Sequence, residues 1–282
     1  MFRMSLAFVS ALTCAVVFDA VGALASETQT IEGWGTLFDP EGDAKATEKN
    51  GAVELTVPGA YRDLWPAGRV NAPRILRPVQ GDFSVQVKIA STVSTAGTSA
   101  LADLPSGSVL YRSAALIIWQ DENTFVRLER GSSTAKESRE LWIYHTFDGG
   151  KRVVHQIGNV ASAGAAYLWI ARKQGTFYAY FRQEGDKKWT QLETHRLGLP
   201  YEVNVGVSLV NTTSEPFTVR FEDFQVATRV SLPPTWSRVR SPILASSGTM
   251  CPRWRPNERD CASRRVCWCS RLCRKARHSG TD

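Results

Sequence analysis

The sequence predicts an all-β protein, a jelly-roll β-sandwich of two antiparallel sheets. From Trp34 to Val226 it is a succession of short runs of β-branched, aliphatic and aromatic residues, broken by Gly, Asp, Asn and Pro. No stretch of ten or more residues repeats its apolar positions with a helical period. Hydrophobic residues make up 43% of the chain and nine residues are Trp, which is enough to fill a sandwich core. Many short strands at close spacing favour a sandwich.

Turn residues separate the predicted strands. Asn50-Gly51, Asp148-Gly149-Gly150 and Gln174-Gly175 are typical hairpin turns, because Gly and Asn tolerate positive φ. Ser91–Ser108 is rich in Ser, Thr, Ala and Gly, which predicts a long exposed loop. In chain order the predicted strands are Gly35–Phe38, Ala44–Lys49, Ala52–Val57, Arg74–Leu76, Phe83–Ala90, Ala114–Gln120, Phe125–Arg130, Glu140–Phe147, Arg152–Gly158, Ala166–Arg172, Thr176–Arg182, Trp189–Thr194, Tyr201–Leu209 and Thr218–Val226.

Residues 1–25 have the pattern of a secretory signal peptide. Arg3 precedes a mostly apolar run over Leu6–Phe18, and Ala23-Leu24-Ala25 is a small-residue cleavage pattern before Ser26. The run is too short to span a membrane, and no other segment could do so. We therefore expect a secreted, periplasmic or cell-surface protein whose main domain occupies residues 26–232.

Residues 233–282 differ from the rest of the chain. They hold eleven Lys and Arg against three Asp and Glu, which leaves 23 basic and 24 acidic residues elsewhere. The main domain is therefore near neutral, and its charge gives no case for nucleic-acid binding. The tail is poor in aliphatic residues, which predicts a disordered segment. It is either a basic arm for an anionic surface or sequence translated past a shifted stop, and the second interpretation is preferred.

Cysteine is confined to the two ends of the chain. Cys14 lies in the predicted signal peptide, and the other five lie in the tail, at Cys251, Cys261, Cys267, Cys269 and Cys273. The domain between them needs no disulfide even in an oxidising compartment. The spacing of the tail cysteines lacks the paired C-x-x-C pattern of a zinc site.

Several strands alternate two kinds of apolar side chain. Tyr167 and Trp169 oppose Leu168 and Ile170. The same alternation separates Trp142 and Tyr144 from Leu141 and Ile143, and Phe177 and Phe181 from Tyr178 and Tyr180. Either the central sheet is covered on both sides, or an aliphatic core face is backed by an aromatic-lined groove.

The hairpin over Ala114–Arg130 carries the first candidate ligand site. Phe125, Arg127 and Glu129 share one face of the second strand. A two-residue turn at Glu122-Asn123 places this face beside Ile118 and Gln120, whereas a three-residue turn places it beside Trp119 and Asp121. The second register gathers Trp119, Asp121, Arg127 and Glu129 into a patch suited to a sugar, since an indole stacks on the ring and charged groups bind hydroxyls. The alternative is a structural Arg127–Glu129 ion pair.

Four segments of the chain resemble the DUF1349 family. They are WGTLFDPEGDAKATEKNGAVELTVPGAYRDLW, NAPRILRPVQGDFSVQVKI, AALIIWQDENTFVRLERG and VRFEDFQV, within Gly33–Thr228. The resemblance implies a concanavalin A-like sandwich in a secreted bacterial protein or module. Carbohydrate binding is the usual inference for such proteins, although family membership determines the fold better than the function.

Two loops supply further candidates. Trp65 before Pro66 could form a stacking platform, with Asn71 and Arg74 of the matched motif beside it, or could instead cover the edge of the sandwich. Asp39 and Asp43 flank a Pro/Gly turn, and Asp223 of the last strand could join them as ligands of a structural Ca²⁺. The alternative for this turn is a solvated acidic loop.

The predicted function is a monomeric, non-catalytic binding module for a polysaccharide or glycan. One alternative is a glycoside hydrolase or lyase that uses Asp121, Glu122 or Glu129, but no strand carries alternating carboxylates at the spacing that such enzymes need. The other is an extracytoplasmic protein-interaction domain. A sugar groove needs convergent polar groups around aromatic rings, and a protein contact needs a flat apolar patch.

Overall fold

The protein is an all-β sandwich in a computed structural model that describes residues 29–95, 98–100, 110–134, 140–160, 163–230, 232–233 and 236–238. Every regular element in these ranges is a strand. The same ranges contain no helix long and apolar enough to cross a membrane. The strands are β1 (Thr30–Ile31), β2 (Gly35–Phe38), β3 (Lys45–Lys49), β4 (Ala52–Val57), β5 (Arg74–Gln80), β6 (Phe83–Ile89), β7 (Tyr111–Asp121), β8 (Thr124–Ser133), β9 (Glu140–Asp148), β10 (Lys151–Asn159), β11 (Ala166–Lys173), β12 (Thr176–Gln183), β13 (Trp189–Arg196), β14 (Glu202–Asn211), β15 (Phe217–Ala227) and β16 (Trp236–Arg238).

The strands form two sheets of eight. Sheet A has the order β1-β2-β5-β14-β7-β8-β9-β10, and sheet B has the order β16-β13-β12-β11-β6-β15-β4-β3. Consecutive strands repeatedly change sheet, as β4 does to β5 and β6 does to β7. All pairings are antiparallel except that of β13 with β16. The predicted jelly-roll sandwich is therefore confirmed.

Every strand predicted from the sequence is present, and most extend one to three residues further at one end or both. The predicted hairpin turns are also formed, with Asn50 at φ 55° and Gly51 at φ 76°. The short strands β1 and β16 were not predicted, because two or three residues are too few to show a period. β16 lies beyond Pro233, in the segment predicted as a disordered tail, and extends sheet B by pairing with β13.

Parts of three predicted segments lie outside the described residues: the signal peptide, the tail from residue 239 onward, and most of Ser91–Ser108. The described part of that last segment is not simply an exposed loop. Val93 is fully buried, and Ser99 forms an isolated bridge with Thr213.

The main core fills the space between the sheets. Trp142 and Tyr144 of β9 lie in it with Phe177 and Phe181 of β12. β9 has the predicted aromatic and aliphatic faces, but its aromatic face is the one that points into the core. On β11 the aliphatic face points inward, since Leu168 and Ile170 are in the core while the alternate residues face outward.

The β7–β8 hairpin combines features of both predicted registers. Its turn has two residues, Glu122 and Asn123, and Asp121 lies opposite Thr124. A β-bulge then leaves Gln120 without a partner. An extra residue in one strand shifts all the pairing beyond it by one residue.

Because of the bulge, Phe125 lies opposite Trp119, Arg127 opposite Ile117 and Glu129 opposite Ala115. Arg127 and Glu129 therefore share a face with Trp119, as a three-residue turn would have placed them. Asp121 is on the other face. Its partner Thr124 is the neighbour of Phe125 in the chain, and neighbouring strand residues point to opposite sides of a sheet.

Candidate functional site

The outer face of sheet A carries a buried polar cluster, which consists of Ser113, Arg127, Glu129, His145 and Arg152. Period-2 alternation places these side chains away from the main core, and Arg127 lies opposite His145 in the pairing of β8 with β9. Glu129 and His145 are fully buried. A buried charge needs partners, so the contacts within this cluster decide whether it is stable.

Glu129 is the centre of the cluster. Its Oε2 accepts a hydrogen bond from Ser113 Oγ at 2.7 Å and lies 3.1 Å from Arg127 Nε. Its Oε1 accepts from Arg127 Nη2 at 3.3 Å and lies 3.4 Å from His145 Nε2. The bonds from Ser113 and Arg127 compensate this carboxylate for its burial.

His145 is held as a neutral imidazole. Arg127 Nε donates to its Nε2 at 2.6 Å, and Arg152 Nε lies 3.1 Å from its Nδ1. A neutral imidazole accepts at one nitrogen only. The shorter contact makes Nε2 the acceptor, and Arg127 binds Glu129 through its Nη2. Burial, reinforced by the charges of Arg127 and Arg152, holds the pKa of His145 well below its usual value.

Residues 58–73, which we call the cover loop, lie over this face of sheet A. Leu64 and Ala72 of the loop join a second apolar cluster with Trp119, Phe125 and Phe147 of the sheet. The loop is held by its backbone, since the N–H of Arg62 donates to Asn211 O at 2.7 Å and the carbonyl of Arg62 accepts from Asn211 N at 2.9 Å. The cover loop therefore packs as part of the structure and removes the polar cluster from water.

Asn71 and Arg74, both predicted to bind ligand, make contacts within and beside the cover loop. Asn71 Oδ1 accepts from Asp63 N at 3.0 Å, and its Nδ2 donates to Glu41 Oε1 at 2.8 Å. The Arg74 guanidinium stacks 4.1 Å from the centre of the Trp119 ring. Both side chains are buried.

The predicted ligand residues are thus brought together but, for the most part, covered. Arg74, Trp119, Arg127 and Glu129 lie on one face, and none is more than 7% exposed. Trp65 at the tip of the cover loop is 38% exposed and packs edge-on against Phe147 at 6.2 Å. Asp121 is exposed on the opposite face, where its Oδ1 accepts from Asn123 N at 2.8 Å.

The three predicted calcium ligands do not meet. Asp39 accepts bonds from the backbone of its own turn, including one from Ala44 N at 2.6 Å, and Asp43 forms an ion pair with Arg62. Asp223 lies two residues after Phe221, which pairs with the start of β4. Asp43 lies two residues before Lys45, which pairs with the end of β4. Among the described residues, no group of three or more His, Cys, Asp or Glu side chains could hold a metal ion.

On the outer face of sheet B the side chains form rows across the strands. One row runs Tyr180, Trp169, Gln86 and Gln225 on β12, β11, β6 and β15. The next row, Tyr178, Ala171, Ser84 and Ala227, has short side chains at its last three positions. Long side chains beside short ones leave a hollow, because nothing fills the space next to the Trp169 ring.

This hollow, which we call the sheet-B groove, has a volume of about 130 Å³. Ser84, Gln86, Trp169, Gln225 and Ala227 are among its lining residues. It would hold a single sugar ring rather than a drug-sized molecule, for which pockets of ~300–1,000 Å³ are usual. Trp169 packs edge-on against Trp189 at 5.5 Å, so the indole that forms one wall is held in place.

Sequence reasoning found only part of this groove. The alternation of β11 indicated that Tyr167 and Trp169 share a face, but Gln86 and Gln225 were not singled out. A polar residue on a half-buried strand is ordinarily just solvated, so a glutamine in a strand does not by itself indicate a binding site. What identifies the two amides is the pairing of β6 with β15, which places them side by side opposite Trp169.

Two histidines meet where the edges of the sheets approach. His155 on β10 and His195 on β13 stack with ring centres 4.1 Å apart, and His155 Nε2 shares a hydrogen bond with Thr146 Oγ1 at 2.9 Å. Burial, together with the neighbouring His195, lowers the pKa of His155 to about 4. Burial also lowers the pKa of His195, against the opposing effect of Asp148. Both rings are accordingly neutral at neutral pH.

Comparison with known proteins shows the fold of this chain and nothing finer. No protein-family model matches the sequence, and no curated protein matches it. A functionally unknown protein from Saccharomyces cerevisiae is similar in structure, with a TM-score of 0.55 at 13% identity over 70% of this chain and 98% of that one. The GH43 BlXynB protein from Bacillus licheniformis has a TM-score of 0.52 at 15% identity, over 72% of this chain and 38% of its own. The sandwich is confirmed, and DUF1349 membership stays a prediction.

Removing the charge at the centre of the polar cluster should destabilise the fold. Glu129→Gln removes the carboxylate that contacts the buried Arg127 guanidinium, so the free energy of unfolding should fall by about 3–5 kcal/mol. Urea denaturation of the purified chain measures this change. Glu122→Gln, on the exposed turn of the same hairpin, is the control and should change stability by less than about 0.5 kcal/mol. A loss as small for Glu129→Gln as for the control would contradict the prediction.

The histidine pair should make stability depend on pH. The unfolded chain takes up protons near its ordinary His pKa of about 6.5, whereas folded His155 does so near pH 4, so protons favour unfolding. Stability should therefore be complete above roughly pH 6.5 and fall as the pH is lowered toward 4. His155→Gln, which keeps a hydrogen-bonding group beside Thr146, should reduce the slope of the urea midpoint over this range. An unchanged slope would show that His155 does not cause the pH dependence.

Proposed function

We propose that this chain is a non-catalytic carbohydrate-binding module and that it binds its ligand in the sheet-B groove. The observation that carries the proposal is the row of Trp169, Gln86 and Gln225 beside the short side chains of Ser84 and Ala227. A sugar has an apolar ring face and a rim of hydroxyls. An indole wall and two amides match both parts, because the indole packs on the ring face and each amide can donate to and accept from hydroxyls.

A ligand can reach the sheet-B groove, whereas the cover loop blocks the outer face of sheet A. Within the described residues, the side-chain amides of Gln86 and Gln225 make no hydrogen bond, so both can bind a ligand without first losing a partner. In contrast, Glu129 and Arg127 already bond to each other beneath the cover loop. A sugar at that cluster would have to displace the loop and break buried ion pairs.

A hydrolase or lyase is less well supported by the geometry. Of the carboxylates considered from the sequence, Glu129 is fully buried in its ion pairs, whereas Asp121 and Glu122 are exposed at the hairpin turn. Glycoside hydrolysis needs two carboxyl groups that flank one bond, at about 5–5.5 Å for retaining enzymes. These residues differ too much in burial to flank one substrate.

A protein-interaction domain is the second candidate, and one observation favours it. Val153, Val154 and Ile157 are exposed on β10, the last strand of sheet A. An exposed edge strand can pair with another chain. However, the bulge between Val154 and residue 156 interrupts the straight run of backbone that such pairing uses.

Secretion and DUF1349 membership belong to the same proposal. The pattern of residues 1–25 supports export, and the four family-like segments coincide with strands of the sandwich. A module with no cysteine between residues 26 and 232 would fold in an oxidising compartment without forming disulfides.

The binding proposal is tested by removing the indole wall. In the full-length chain, Trp169→Ala should weaken binding to a soluble polysaccharide at least about tenfold, the loss typical of a buried aromatic anchor. Isothermal titration calorimetry against a panel of polysaccharides measures the affinity, and urea denaturation shows whether the variant is folded. Gln225→Ala at the rim is a milder second variant.

Trp65→Ala on the cover loop is the matched control and should leave the affinity within about twofold. Lost binding in folded Trp65→Ala, with full binding in Trp169→Ala, would move the site to sheet A. A wild-type chain that binds no polysaccharide would refute the carbohydrate proposal.

The export proposal predicts a defined mature end. N-terminal sequencing of the protein recovered from the culture medium, periplasm or cell surface of an expressing bacterium should begin at Ser26. Replacing Ala23 and Ala25 with bulky residues should leave the leader attached, because signal peptidase requires small side chains there. Intact protein found only in the cytoplasm would contradict the proposal.

A further inference from the structure

We infer that the sheet-B groove selects an uncharged glycan over acidic or sulfated ones; this inference rests on the function proposed above. The basis is the placement of charge on the outer face of sheet B. The described residues that line the groove provide an indole, two amides, a hydroxyl and small apolar side chains, with no ionisable group among them. The nearest charged residues lie in other rows of the sheet, where Lys88 and Arg220 are paired with carboxylates.

The row next to that of Trp169 consists of Arg182, Tyr167, Lys88 and Glu222, which pair in this order across β12, β11, β6 and β15. Lys88 Nζ lies 3.2 Å from Glu222 Oε2 and 3.6 Å from an oxygen of Glu184. The ammonium is therefore shared between two carboxylates, which raise its pKa, chiefly through the hydrogen bond to Glu222.

Arg220 is paired in the same way. Its Nε donates to Glu222 Oε1 at 2.7 Å, and its Nη1 lies 3.6 Å from Glu54 Oε1. Glu222 thus bridges Lys88 and Arg220, and its pKa is held below the usual range, chiefly by the hydrogen bond from Arg220. A ligand carboxylate or sulfate would have to compete with these existing partners for either cation.

Arg182 is the remaining cation of this row. Its guanidinium lies between two rings, 4.2 Å from the centre of Tyr167 and 5.0 Å from that of Trp189. Its Nε has no hydrogen-bond partner among the described residues, but this atom is buried and out of reach of a ligand. Arg182 therefore braces the aromatic residues that support Trp169.

On this face of sheet B, Glu54, Glu184 and Glu222 hold Lys88 and Arg220 in ion pairs. An acidic glycan would have to compete with these carboxylates for the two cations, and the exposed Glu54 and Glu184 would repel it. An uncharged glycan needs only hydrogen bonds and ring contact, which the lining provides. Selectivity of this kind comes from what the site rejects as much as from what it attracts.

The inference is tested with the full-length chain and two sets of soluble polysaccharides. The neutral set contains xylan, glucans, mannans and fructans, and the acidic set contains polygalacturonate, alginate and a sulfated galactan. We expect at least one neutral polysaccharide to bind about tenfold or more tightly than any acidic one. Affinity for it should change less than about twofold when the salt is raised from about 0.05 M to 0.5 M, because no ion pair is formed.

Two variants locate the selectivity. Gln86→Ala should reduce the affinity for the neutral ligand about tenfold, whereas Lys88→Ala, in the paired row, should leave it within about twofold. Preferred binding of an acidic polysaccharide, weakened by salt and by Lys88→Ala or Arg182→Ala, would overturn the inference while leaving the carbohydrate proposal intact. No binding to either set would refute both.

Discussion

The burial of the Glu129 carboxylate is the constraint on which one whole side of this molecule depends. A buried carboxylate must be surrounded by donors, and Ser113 and Arg127 donate to it. The bulge at Gln120 sets the register in which Glu129 shares a face with Ser113 and Trp119. The cover loop then seals the cluster, and the apolar contacts of Leu64 and Ala72 hold the loop down.

This arrangement gives the two outer faces of the sandwich different roles. The outer face of sheet A is a second, smaller core with charged residues inside it, and its aromatic rings pack against one another. The outer face of sheet B has no cover in the described part of the chain, and its charges are paired across strands while its amides stay free. A ligand therefore meets prepared polar groups on sheet B, whereas on sheet A it would have to take apart a folded structure.

The fold alone does not identify a ligand. Structures at 13% and 15% identity share the sandwich with this chain, which shows how little of the sequence the architecture requires. What the architecture requires is alternation: inward apolar residues on each strand and turn residues between strands. The outward positions are then available for function. In this chain a row of short side chains beside Trp169 turns such positions into a groove.

The sequence by itself determined the strands, the hairpin turns, the sandwich and the alternation of aromatic and aliphatic residues on β11, because these follow from local period and turn chemistry. It also placed Trp119, Arg127 and Glu129 on one face in one of two registers. Only the tertiary structure decided that a bulge selects that face, that the cover loop buries it, and that Gln86 and Gln225 meet beside Trp169. The physical reason is that burial and cross-strand neighbours are set by pairing between residues far apart in the chain, and a polar residue on a strand has the same local pattern whether it lies in a groove or in open solvent.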